Sequence, residues 1–92
     1  MTASTRDRTL LRDLARRVAD VAALPEQTEK TRLWTACNDL RPERPMVFAD
    51  PQNGWGEIDT AWVQLECQET GLRNWERLLR RRLVRHEQIH DD

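Results

Sequence analysis

The sequence predicts a mainly α protein with a short β region, an α+β arrangement: an N-terminal helical hairpin, one or two short strands, and a long amphipathic C-terminal helix. Three observations carry this expectation. In LRNWERLLRRRLVRHEQIH, the residues Leu72, Trp75, Leu78, Leu79, Leu83, His86 and Ile89 recur at intervals of three and four, which stacks them on one helical face. Near the N-terminus Leu10, Leu11, Leu14, Val18, Val21 and Ala22 repeat the pattern. Between these stretches, RPERPMVFADPQNGWG holds three prolines and two glycines, which forbid a continuous helix. At 92 residues the chain is a single domain or a fragment of one, divided into a hairpin over 6–40, loop and short strands over 41–70, and the long helix over 71–90.

Each element has its own signal. Ser4 or Thr5 can cap the first helix, and Asp7 sits in its first turn against the N-terminal dipole. That helix is expected over about Arg6 to Ala23. Pro25 suits the first turn of a second helix, running to about Asp39, and Leu24 before it is pushed out of the α region. Leu33, Trp34, Ala36, Cys37 and Leu40 form its apolar side. Met46–Ala49 reads as a short buried strand, followed by turn chemistry from Asp50 to Gly56. The run Trp62–Cys67 alternates, with Val63, Leu65 and Cys67 on one side, as a half-exposed strand would. In the long helix, Trp75 is expected at the centre of the core, where truncation to alanine costs about 3–5 kcal/mol.

Composition narrows the function. The net charge of −1 offers neither a basic nucleic-acid footprint nor an acidic tail. No apolar run could span a membrane, and MTASTRDR lacks a signal-peptide core, so a cytoplasmic chain is expected, with no membrane and no nucleic-acid partner. Cys37 and Cys67 lie far outside CxxC spacing and read as small buried hydrophobes. Trp34, Trp55, Trp62 and Trp75 read as core anchors rather than as a platform for bases. The arginines at 77, 80, 81, 82 and 85 share their helix with Glu69, Glu76 and Glu87 and read as a solvated face.

Two patterns invite a sharper reading. His86-Glu87-Gln88-Ile89-His90 is a literal HExxH, which in zinc proteases puts two imidazoles one helical turn apart with a glutamate beside the metal-bound water. A third ligand normally follows downstream, and only Asp91 and Asp92 remain. Two partly packed helix histidines are therefore expected at His86 and His90, with a zinc hydrolase as the most remote alternative. The long helix also offers Leu72, Trp75, Leu79 and Leu83 as a face for a partner protein, which is the reading of the chain as a small helical interaction module.

The order of LWTACNDLRPERPMV, a loop with GWGEI, VQLEC, a helix with LRNWERLLRRRL and a close in HEQIHDD resembles the N-terminal part of uroporphyrinogen decarboxylase-like proteins. That superfamily includes corrinoid-linked methyltransferases. The resemblance runs from about Leu10 to Asp92 and rests on scattered positions. It implies that Arg44–Val47 leads into the first strand of a (β/α)8 barrel, that Asp50 to Glu57 leaves that strand, and that Leu72–His90 is an outer helix. By that resemblance Asp50, Asn53, Trp55 and Glu57 are substrate-loop candidates, since such loops build barrel active sites. The decarboxylases' Arg-x-x-Gly-Arg loop is replaced here by DPQNGWGE, and the methyltransferases' zinc-binding His-x-Cys is absent. The resemblance thus implies the entry segment of a barrel, not catalytic alone. Corrinoid or zinc would belong only to a full-length parent, a decarboxylase- or methyltransferase-like lyase or transferase. Open strand edges at Met46–Ala49 predict either self-association, with Val47 and Phe48 at the contact, or completion by a larger barrel-forming polypeptide.

Overall fold

The computed structural model describes residues 4–92, and these form an all-α arrangement with no strand. Helix α1 spans Thr5–Ala22, α2 Pro25–Asn38, α3 Trp55–Trp62 and α4 Thr70–Val84, the last continuing as a π turn over Arg85–Ile89. A single 3-10 turn, Gln52–Gly54, leads into α3. Among the described residues no helix is long and apolar enough to cross a membrane.

The first two helices begin as the sequence indicates. Ser4 is extended, and its hydroxyl accepts the Asp7 amide at 3.1 Å, satisfying one of the orphan N–H groups of α1. Pro25 occupies the first turn of α2, where a missing N–H costs nothing. Helix α2 ends on Leu40 at φ 61°, with Arg41 N–H donating to Ala36 O and Leu40 N–H to Cys37 O, the double closure usually built on glycine. The expected hairpin is not formed. Helix α1 packs against α4 rather than along α2, and Leu14, Leu83 and Val84 are buried.

The expected β region is also absent, for a reason visible in its hydrogen bonds. Met46–Ala49 has no neighbouring strand. Instead Val47 N–H donates to Asp92 Oδ2 at 2.9 Å, Asp92 N–H returns to Val47 O at 2.8 Å, and Ala49 N–H donates to Asp91 Oδ2 at 2.9 Å. Side-chain carboxylates supply the acceptors that a ladder would have supplied. The second alternating run keeps its period but not its structure: Val63 and Cys67 are buried and Gln64 and Glu66 exposed, while Trp62 closes α3. Helix α3 stands where turn chemistry and the start of a strand are expected, since Asn53-Gly54 and Gly56 are turn residues by local preference.

The long helix departs from its expected face. Leu83 is buried and Leu72 and Leu79 are half-buried, but Trp75 is 61% exposed and Leu78 43% exposed. The fully buried place on this helix belongs to Glu76, at 0% exposure. The molecule is correspondingly open. Its radius of gyration is 16.0 Å and its extents 51 × 27 × 20 Å, against about 12 Å expected for a compact domain of this length. Its accessible surface of 6802 Å² exceeds by roughly 1,200 Å² that of a typical monomer of equal mass.

Candidate functional site

The most closely built place in the molecule is the loop before α4. Four consecutive amides there converge on two buried carboxylates. Glu66 and Cys67 N–H donate to Glu76 at 2.9 Å, and Gln68 and Glu69 N–H donate to Asp7 at 3.1 and 3.2 Å. Arg80 Nε donates to Glu76 at 2.8 Å. Arg6 and Arg73 donate to the carbonyls of Glu66 and Cys67, and Glu69 then caps α4 by accepting the Leu72 amide at 2.8 Å. Burial works to raise the pKa of Glu76, but the amides of Cys67 and Glu66 and the Arg80 guanidinium outweigh it, leaving the carboxyl below its ordinary range. The neighbouring Cys67 thiol is pushed up to about 11, first by burial and then by Glu76 and Asp7, which makes it inert as a nucleophile. Asp7 and Glu76 are 1% and 0% exposed, so this constellation holds backbone and offers no face to a substrate.

The arginines of the last helix are similarly employed. Arg81 Nε donates to Asp59 at 2.9 Å, joining α3 to α4, and its guanidinium lies 4.8 Å from the Trp55 ring centroid. The bond from Arg81 holds the Asp59 carboxyl below its usual range. Arg85 donates to Ala49 O and to Asp91, and stacks 5.1 Å from Phe48. Arg77 reaches Asn74. Four of the five clustered arginines therefore act within the chain, and Arg82 alone is exposed with no ion pair among the described residues.

The loop residues suggested by resemblance do not converge. Asp50 Oδ1 accepts the Gln52 amide in a local turn, Asn53 and Glu57 are exposed, and Trp55 turns inward beneath Arg81. The histidine pair is close, with ring centroids 5.6 Å apart and the rings edge-on. However, His90 follows the π turn at φ 58°, and Glu87 faces α1, where it pairs with Arg17 at 3.5 Å. No group of three or more metal-binding side chains occurs among the described residues. His86 Nε2 stands 4.0 Å from Glu26, and its Nδ1 is buried without a hydrogen-bond partner.

The partner-face candidates divide. Leu83 is used internally and Leu72 and Leu79 partly so, leaving Trp75 exposed beside Leu78. Arg81 of α4 and Arg85 of the π turn reach α3, Arg81 to Asp59 and both to the Trp55 ring. Trp62, at the end of α3, is 55% exposed. Of the face expected on α4 only Trp75 is exposed, and neither α3 nor the organising roles of Asp7 and Glu76 was among the expectations. A signal for Glu76 existed: with Leu72, Leu79 and Leu83 it occupies the spacing of a core stripe, where an acid needs partners. No family model, curated protein or solved structure matches the chain.

Proposed function

We propose that this chain is a non-catalytic helical segment of a larger uroporphyrinogen decarboxylase-like polypeptide, whose remaining residues cover the exposed Trp75 and Leu78 of α4 and Trp62 of α3. The observation that supports the reading is the exposure of two tryptophans and a leucine in a molecule far more open than its mass requires. Exposed apolar surface of this kind marks an interaction site, and burying large aromatics is a main source of interface energy. The resemblance of RPERPMV, GWGEI and LRNWERLLRRRL supports the choice of parent. Any decarboxylase- or methyltransferase-like chemistry would then belong to the parent's other residues.

A second reading is favoured by the same exposed residues: a small interaction module that docks on a separate protein. The hydrolase reading draws nothing from the geometry, since Glu87 is turned to Arg17. Immunoblotting of the source cells with an antibody against the α4 stretch separates the first two. The proposal expects a denatured polypeptide several times heavier than 10.9 kDa. A band at 10.9 kDa eluting natively with an unlike protein supports the module, and one eluting alone as a monomer overturns both.

A further inference from the structure

We propose that the cavity between α1, α2 and the C-terminal helix binds a small organic carboxylate with an apolar body, roughly the size of benzoate. This inference rests on residues other than Trp62, Trp75 and Leu78 and does not depend on what covers them. The cavity has a volume of about 290 Å³, at the lower end of the range for small-molecule sites. Val18 and Val21 of α1, Leu83 of α4 and the Phe48 ring supply an apolar lining. Lys30 of α2 and Arg82 of α4 bring positive charge to the same space.

The balance of charge there favours an anion. Asp91 and Asp92 also border the cavity, but both are already paired, Asp91 with Arg85 at 2.7 Å and Asp92 with Arg44 at 2.9 Å. Lys30 and Arg82 have no ion pair among the described residues. His86 also borders the cavity, with its Nε2 4.0 Å from Glu26, so its ring reports on an occupant. Lys30 and Arg82 add long-range attraction, while the valines and Leu83 select a ligand with an apolar body over a bare inorganic anion.

Titrating benzoate into the 92-residue chain, followed calorimetrically and by the His86 imidazole resonances, tests the site. The expected result is saturable one-to-one binding that shifts the His86 resonances. It should weaken at least tenfold in Lys30→Glu, which reverses a charge, and in Val21→Trp, which fills the cavity. Exchanging the exposed Arg12, which does not line the cavity, for glutamate should leave it unchanged. Benzamide, which lacks the charge, and inorganic phosphate, which lacks the apolar body, should each bind at least tenfold more weakly than benzoate. Absence of saturation overturns the proposal, as does equal binding by Lys30→Glu, or benzamide binding as tightly as benzoate. Circular dichroism establishes whether Val21→Trp remains folded; if it does not, the Lys30→Glu and benzamide results decide alone.

Discussion

Two irregular stretches of this chain are held by carboxylates, and they are held in different ways. Glu66–Glu69 gives four successive amides to Asp7 and Glu76, both buried and both rooted in helices that pack on each other. Met46–Ala49 gives alternate amides to Asp91 and Asp92, which follow the π turn and lie nearer solvent. The bonds are of similar length. What differs is the consequence of losing one, because water can replace an acceptor only where water can reach. The first stretch is therefore expected to behave as part of the core, and the second as a latch.

The largest effect should come from Glu76→Ala. It strands the amides of Glu66 and Cys67 together with the Arg80 guanidinium in a buried place, a loss of about 3–5 kcal/mol, enough to unfold a chain of this size. Urea denaturation checks this, and a loss near 1 kcal/mol would show that the loop finds other acceptors. Asp7→Ala should follow at about 2–3 kcal/mol, since two amides lose a charged acceptor. Hydrogen exchange should then show Gln68 and Glu69 losing protection while Val47 and Ala49 keep theirs.

Acidification sharpens the same contrast. Asp92 is held down to about 2, from an ordinary 3.8, first by its bond from Arg44 and then by the Val47 amide. Glu76 and Asp59 are lowered as well. A carboxylate whose folded pKa is depressed stabilises the fold fully above its unfolded value, and that contribution disappears as pH falls through the folded one. For Asp92 the window runs from about pH 4 to about pH 2. Asp92→Asn should therefore flatten the pH dependence in that window and free the Val47 amide to exchange, with less effect at neutral pH than Asp7→Ala.

The smallest effect on stability should be at Trp75. The position suggested a core tryptophan, but 61% of it is exposed, and Trp75→Ala should cost under about 1 kcal/mol in the isolated chain. Its effect should appear instead in association, as a loss of the apolar face, read by sedimentation over a concentration series beside Leu78→Lys. A loss above 3 kcal/mol would return Trp75 to the core and remove the support for a docking face.

Much of the local structure was legible in the residues. The start of α1 at Ser4, the start of α2 at Pro25 and the long helix from Thr70 all follow from caps and spacing that act within a few residues. The alternating burial of Val63, Leu65 and Cys67 was legible too, because a period of two expresses which side faces the core. It does not express what the backbone bonds to. That is why the same run reads as a strand and is instead a loop gripped by Glu76 and Asp7, residues ten and some sixty positions away. The spacing of the histidine pair likewise implies a regular α-helix, whereas the chain forms a π turn over Arg85–Ile89.

By itself the sequence determined where α1, α2 and α4 start, and which residues are apolar enough to need cover. Only the tertiary structure decided which covering they received. Asp7 and Glu76 lie far apart in sequence, and their shared role depends on α1 packing against α4, which no local periodicity encodes. The same packing turns Glu76 and Leu83 inward and leaves Trp75 and Leu78 outside, because one helix has a single buried face, and the amides of Glu66 and Cys67 claimed part of it through Glu76.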